Sequence, residues 1–165
     1  FKSGENFQSL INDIFQNKVK IKDEIFFLKH SGYSEMYGPA RNSMYATRYD
    51  YLRIAKAILD DWKNDTCVGI YLKNIYQNKK SKGLTRRPSG PMSAWRGYAG
   101  FFHTDYYQIS NRNLIGMDGY GGQMIWIDFD NSRIVSTHSV HNNYNWKKIV
   151  AGVIKNGRIS QGNWN

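Results

Sequence analysis

A glycine-rich bend is the part of this sequence whose residue types and spacing most clearly serve chemistry. Residues 119 to 123 read Gly-Tyr-Gly-Gly-Gln and run directly into a hydrophobic segment that ends at Asp128. Glycine has no Cβ, so a ligand can approach the backbone of such a bend closely. The bend is therefore a candidate ligand contact. The alternative is a glycine bend at a sheet edge that binds nothing.

Two carboxylates follow the bend. Asp128 and Asp130 are two residues apart, and on a strand they share a face. Paired carboxylates can carry out glycoside hydrolysis. Here they lead into a short turn, where aspartate is common because its side chain hydrogen-bonds the backbone. The turn interpretation is the one we favour.

The histidines and the single cysteine offer weaker patterns. His138 and His141 face opposite ways on a strand, whereas zinc requires three or four converging ligands, so we expect polar contacts and no metal site. His103 follows an aromatic segment and can face a cleft, although no nucleophile is paired with it in the sequence. Cys67 forms no intrachain disulfide and lacks a Cys-His signature, so it is not expected to be a nucleophile.

Helical patterns dominate residues 1–94, apart from a basic loop near residues 77–94. An apolar stripe at helical spacing predicts a first helix, with Ser3 or Asn6 as its cap: Phe7, Leu10, Ile11, Ile14 and Phe15. Residues 29–42 read as a loop. Thr47 and Asp50 resemble a capping box, and a second stripe follows it: Leu52, Ala55, Ile58, Leu59 and Trp62. Residues 68–76 predict a further helix, with Ile70, Leu72 and Ile75 as its apolar positions.

Strand patterns dominate residues 95–141, and residues 142–156 return to helical spacing. Residues 97–104 predict one aromatic strand, and residues 123–129 and 133–139 predict an antiparallel hairpin. The last helix has Asn143 or Asn145 as its cap and ends at Gly157. The predicted fold class is therefore α+β, a single domain with an antiparallel sheet flanked by helices.

Composition limits the class of protein further. The chain has 165 residues, of which 41% are hydrophobic and 22% are charged. It is therefore long and apolar enough to form a hydrophobic core and is not a disordered segment. Its formal charge of +10 favours anionic partners. The densest basic cluster lies in the predicted loop: Lys79, Lys80, Lys82, Arg86 and Arg87. No nucleic-acid-binding motif accompanies the charge, so nucleic acid is the third and weakest alternative. No apolar run is long enough to predict a membrane span.

Four segments in order resemble the serine β-lactamase-like superfamily, most closely its class C and esterase branch, which includes the 6-aminohexanoate-dimer hydrolases. Residues 45–56, which begin Tyr-Ala-Thr-Arg-Tyr-Asp, resemble the family's "ATxRDxARFG" helix start. Residues 96–102, Arg-Gly-Tyr-Ala-Gly-Phe-Phe, resemble its "GYGYxWW" strand. Residues 119–123 resemble its "GxxGQ" element, the third active-site motif. Residues 128–136 resemble the hairpin after it, and the resemblance covers roughly residues 40–155.

The resemblance implies hydrolysis of an amide or ester bond through a serine acyl-enzyme, without a metal or other cofactor. It implies that the backbone amide of Tyr120, next to Gly121, belongs to the oxyanion hole. It also implies that Gly119, Tyr120, Gly122 and Gln123 contact a small-molecule substrate. A periplasmic or secreted location is typical of the family.

The sequence departs from the family pattern at the nucleophile. No Ser-x-x-Lys occurs in it, so the nucleophilic serine and its lysine base are absent. Residues 1–4, Phe-Lys-Ser-Gly, resemble the family's "YxSG" motif with Phe1 at the place of the catalytic tyrosine, and phenylalanine cannot transfer a proton. We therefore expect the C-terminal part of a hydrolase, inactive alone, whose partner is the N-terminal part of the same fold. The alternative is a non-catalytic binding module of the same fold.

Overall fold

A computed structural model of the chain describes residues 9–29, 42–82, 95–109, 111–119, 122–138 and 146–157. It contains helices, a two-stranded antiparallel sheet and a six-stranded antiparallel sheet, and it confirms the predicted α+β class. Residues 1–54 and residues 55–165 form two compact units.

The first unit contains a π-helix and a β-hairpin. The π-helix, Asn12–Lys18, follows a short helical segment at residues 9–11. Of the apolar stripe predicted there, Ile11 is buried, whereas Leu10 and Ile14 are exposed. Strands β1 (Phe26–Lys29) and β2 (Asn42–Tyr45) pair antiparallel, with Phe26 opposite Tyr45. This hairpin was not predicted, and the proposed caps Ser3 and Asn6 lie outside the described residues.

Helix α1 (Arg48–Lys63) begins at the predicted cap. The Asp50 amide donates to Thr47 Oγ1 at 3.3 Å, as in a capping box. The Asp50 carboxylate is fully buried and accepts bonds from the amides of Lys22 and Asp23 and from Arg53. Burial alone would raise the Asp50 pKa, but these hydrogen bonds and that from Thr47 lower it to about 2. Asp50 therefore fixes residues 22–23 against the start of α1.

The second unit contains the rest of α1 and helix α2 (Cys67–Gln77). Thr66 caps α2, because its Oγ1 accepts a hydrogen bond from the Gly69 amide at 3.1 Å. Leu72 and Tyr76 are buried as the helical pattern requires, whereas Ile70, one of the predicted apolar positions, is half exposed. On α1, the ring of Trp62 stacks on Phe129 with centroids 3.9 Å apart.

The six-stranded sheet has its strands in chain order. They are β3 (Lys80–Ser81), β4 (Trp95–Ala99), β5 (Phe102–Tyr106), β6 (Leu114–Asp118), β7 (Gln123–Asp128) and β8 (Arg133–His138). The predicted β7–β8 hairpin is confirmed. The single strand predicted over residues 97–104 is wrong, because the chain reverses at Gly100, whose φ of +58° suits glycine. Strand β6 was not predicted, and β3 lies where a basic loop was expected.

Helix α3 (Trp146–Asn156) packs on this sheet and completes the core. The core side chains are Trp95, Tyr106, Ile109, Leu114, Met124, Trp126, Val150, Ala151 and Ile154. Arg112 and Arg133 both donate to the Ile154 carbonyl at the end of α3, at 3.1 and 2.6 Å. Cationic side chains at a helix C-terminus donate hydrogen bonds to its unpaired carbonyls and interact favourably with the negative end of the helix dipole. The helix ends before Gly157, as predicted, and the suggested caps Asn143 and Asn145 lie outside the described residues.

Candidate functional site

The glycine-rich bend joins β6 to β7. Its two ends are held together, because the Gly119 amide donates to the Gln123 carbonyl at 2.7 Å. Gly122 has a φ of +88°, and its carbonyl accepts a hydrogen bond from Thr137 Oγ1 of β8 at 3.0 Å. Residues 120 and 121 lie outside the described residues. The structure thus places three of the predicted contact residues, Gly119, Gly122 and Gln123, in a bend whose hydrogen bonds involve Gln123 of β7 and Thr137 of β8.

Beside this bend lies a group of three ionisable side chains from three strands. Lys82 follows β3, His103 belongs to β5, and Asp118 is the last residue of β6. The antiparallel register brings them together: Lys80 pairs with Tyr98, Tyr98 pairs with His103, and His103 pairs with Gly116. We call these three residues the Lys82–His103–Asp118 cluster.

The cluster forms a row with the imidazole in the middle. Lys82 Nζ lies 2.5 Å from His103 Nδ1, and His103 Nε2 lies 3.9 Å from Asp118 Oδ2. The side chains of His103 and Asp118 are only 9% and 6% exposed. Because Nδ1 accepts from the lysine, the neutral ring carries its hydrogen on Nε2, on the side of Asp118. Lys82 is therefore within hydrogen-bond distance of the imidazole, whereas the Asp118 carboxylate lies farther away on the other side and acts on the ring electrostatically.

Aromatic rings surround the imidazole. The Trp95 ring stacks on His103 with centroids 6.0 Å apart, and Tyr98 meets it edge-on at 5.4 Å. Lys82 Nζ lies 5.1 Å from the centroid of the Tyr98 ring, within reach of a cation–π interaction. Gly116 leaves the space that Trp95 fills, since a Cβ there would lie 2.2 Å from the indole. The rings therefore exclude water from one side of the cluster.

This burial shifts the protonation of the cluster. Burial, together with repulsion from the Lys82 ammonium, lowers the pKa of His103 from 6.5 to about 4. Burial also lowers the pKa of Lys82, although the nearby Asp118 charge opposes that effect. At neutral pH, His103 is therefore an uncharged acceptor and donor, and Lys82 loses its proton more readily than an exposed lysine.

Lys79, three residues earlier, shows the opposite behaviour. Its Nζ pairs with Asp105 Oδ1 at 2.6 Å and lies 4.4 Å from the centroid of the Tyr76 ring. Burial disfavours its charge, but the hydrogen bond to Asp105 outweighs burial and raises its pKa. Two lysines of similar setting thus differ in their partner, a carboxylate for Lys79 and an imidazole for Lys82.

The remaining predicted site residues have other positions. Asp128 is fully buried and accepts from Arg112 and from Asn131, while Asp130 accepts from the amide and side chain of Asn113. The contact between Asn131 and Asp128 is a turn contact of the kind that we favoured over paired catalytic carboxylates, whereas Arg112 and Asn113 reach the two carboxylates from outside the turn. His138 Nε2 lies 3.1 Å from Ser136 Oγ, and Cys67 is exposed at the start of α2. Phe1 and His141 lie outside the described residues.

Sequence reasoning selected His103 but missed both of its partners. Asp118 ends a strand that the hydrophobic pattern did not reveal, and Lys82 lies in a lysine-rich stretch that resembled a loop. Only the order β3-β4-β5-β6 places the three side chains together. Without the strand order, the sequence does not show that these three ionisable residues lie on neighbouring strands.

Within the described ranges, no three His, Cys, Asp or Glu side chains gather as metal ligands do. No helix of those ranges has the length and apolar character needed to cross a membrane. Comparisons with protein-family models, with curated proteins and with solved structures return no match. Any functional conclusion therefore depends on the bend and on the cluster beside it.

Proposed function

We propose that this chain is the C-terminal part of a β-lactamase-like serine hydrolase that cleaves an amide or ester bond through an acyl-enzyme. The supporting observation is the Gly119–Gln123 bend. It joins two inner strands of the antiparallel sheet, and hydrogen bonds fix both of its ends. The sequence of the bend resembles the third active-site motif of that superfamily, and α3 packs on the same sheet.

The chemical role of the bend follows from acyl transfer. Attack on a carbonyl carbon puts negative charge on its oxygen, and backbone amides held in place stabilise that charge without reorganising. In this proposal the amide of Tyr120 is one such donor, and Gly121 leaves its approach open. The nucleophilic serine and its lysine base come from residues outside this sequence, so the chain supplies one wall of the site.

Labelling with a fluorophosphonate tests this proposal. The reagent is applied to this chain and to the longest polypeptide that its gene encodes. We expect the longer form to be labelled at a serine and this chain to stay unlabelled. Serine-dependent turnover of an ester by the 165-residue chain alone would contradict the proposed division of the site.

An ester in place of one backbone amide tests the oxyanion donor. Incorporation of the α-hydroxy analogue of tyrosine at position 120 of the longer form removes that N–H and leaves the side chain unchanged. We expect kcat to fall by about 10²–10³-fold, as for the loss of one oxyanion donor. The same replacement by an α-hydroxy acid at Ser132, in the β7–β8 turn, is the control and should leave kcat unchanged. Equal effects at both positions would remove Tyr120 from the mechanism.

A second candidate is a non-catalytic binding module of the same fold. The absence of a Ser-x-x-Lys from these 165 residues favours it. It predicts that the longer gene product also stays unlabelled and nevertheless binds a small molecule at the bend. A ligand that quenches tryptophan fluorescence in the wild-type chain, but not in a Gly122→Val variant, would support this candidate.

A further inference from the structure

We propose that Lys82 is a carbonyl-reactive amine that condenses with a small aldehyde or ketone, with the uncharged imidazole of His103 as the group that relays protons during the condensation. This proposal is independent of the serine hydrolase proposed above, because it uses only residues of this chain.

The geometry supports an activated amine. A lysine is a poor nucleophile while it is protonated, and a base within hydrogen-bond reach or a desolvated setting activates it. Lys82 has the second feature, since its Nζ lies 5.1 Å from the centroid of the Tyr98 ring and 2.5 Å from Nδ1 of the uncharged His103 imidazole. Asp118 Oδ2 lies 3.9 Å from His103 Nε2, beyond hydrogen-bond distance, so its influence on the imidazole is electrostatic.

The reaction balances without a further reagent. The neutral Lys82 amine attacks the carbonyl carbon: a C–N bond forms, the C=O π bond breaks, and the nitrogen becomes positive while the oxygen becomes negative. One proton passes from this nitrogen through His103 to the oxygen and gives the neutral carbinolamine. A second proton follows the same route to the hydroxyl group as the C–O bond breaks, the nitrogen lone pair forms the C=N bond, and the oxygen leaves as water. The products are a Lys82 imine and one water molecule.

Lys79 provides an internal control. It lies close to Lys82 in the sequence, is also partly buried and also lies over a tyrosine ring. Its partner is the Asp105 carboxylate, whose negative charge favours the ammonium form of the lysine, whereas the imidazole beside Lys82 is uncharged. If the imidazole partner activates Lys82, the two lysines must differ in reactivity within one folded molecule.

Reductive alkylation measures this difference. The wild-type chain is treated at pH 7 with acetaldehyde and cyanoborohydride, which reduces the imine to a stable ethylamine. Digestion and tandem mass spectrometry then give the rate at each lysine. We expect Lys82 to react several-fold faster than Lys79, because burial lowers the pKa of Lys82 whereas the hydrogen bond to Asp105 raises that of Lys79. Equal rates, or a faster Lys79, would overturn the proposal without any variant.

Three variants separate activation from structure. His103→Gln keeps a polar side chain and removes the proton relay, so the Lys82 rate should fall at least several-fold while the Lys79 rate stays unchanged. A folding defect would instead raise the Lys79 rate, because it would expose that lysine. Asp118→Asn removes a charge that favours the Lys82 ammonium, so the Lys82 rate should rise. Asp105→Asn should raise the Lys79 rate alone. An unchanged Lys82 rate in the His103→Gln variant would refute the role of the imidazole.

Discussion

Protonation of His103 is expected to destabilise the second unit at mildly acid pH. The imidazole has a pKa of about 4 in the folded chain and an ordinary value of 6.5 when exposed. Because the folded pKa is the lower one, the unfolded chain binds the proton more readily. Stability is therefore complete above pH 6.5 and is lost as the pH falls toward 4.

The size of this effect follows from the two pKa values. The gap between 6.5 and about 4 corresponds to about 3 kcal/mol in total, at 1.4 kcal/mol per pKa unit. Between pH 7 and pH 5 we expect a loss of about 2 kcal/mol in the free energy of unfolding. Aspartate and glutamate side chains with ordinary pKa values stay mostly ionised over that range, so His103 dominates the change.

Urea denaturation at pH 7, 6 and 5 measures this loss of stability. Tryptophan fluorescence reports the unfolding, because Trp95 stacks on the imidazole. The comparison is between the wild type and a His103→Gln variant, which cannot be protonated. The variant should be less stable at pH 7 but lose about 2 kcal/mol less than the wild type on going to pH 5. A Lys82→Met variant removes the repelling ammonium and should show an intermediate loss. Parallel pH profiles for all three chains would refute the reasoning.

Two further substitutions test the packing. Asp50→Asn should destabilise the first unit by about 1–3 kcal/mol, because the buried carboxylate that accepts from two backbone amides and from Arg53 loses its charge. Hydrogen exchange of the amides of residues 22–23 measures this effect. Unchanged protection of those amides would contradict it. The wild-type contribution of Asp50 should hold above pH 3.8 and decline as the pH falls toward 2, since its folded pKa is the lower one. Gly116→Ala should lower the melting temperature sharply, because its Cβ would lie 2.2 Å from the Trp95 ring. Gly152→Ala in α3 is the matched control: its Cβ would meet nothing within 4 Å, and we expect a gain of up to about 1 kcal/mol. Equal melting temperatures for the two alanine variants would show that Trp95 moves aside freely.

Local signals predicted much of the secondary structure. Helices α1 and α2 and the β7–β8 hairpin match the sequence pattern, because an apolar stripe or alternation marks each of them. The Thr47 cap and the Gly157 stop are equally local, since each depends on a few neighbouring residues. The site was only partly predictable, because such local signals reveal only residues that are neighbours in the sequence. The bend is contiguous in sequence, whereas the cluster is assembled from three strands.

The missed elements depend on their neighbours in space. Strand β6 is five residues with Gly116 at its centre, so its sequence shows no alternation, and its pairing with β5 and β7 decides its conformation. Strand β3 is two residues of a lysine-rich stretch, extended because Lys80 and Ser81 pair with Tyr98 and Gly97. Asp50 shows the same effect in a cap, because its carboxylate binds the distant amides of residues 22 and 23. Tertiary partners override local propensity in such cases.

The arginine contacts at the end of α3 have a consequence for cooperativity. Arg112 and Arg133 reach the Ile154 carbonyl from positions 42 and 21 residues earlier in the chain. Helix α3 has 11 residues, fewer than the roughly 12–15 at which an isolated helix becomes even marginally stable in water. The stability of α3 therefore depends on its packing against the sheet, and the side chains of β8 that face the helix become exposed to solvent when the helix detaches. Strand β8 and α3 should open and close as one unit, so their amide hydrogens should exchange with the same free energy.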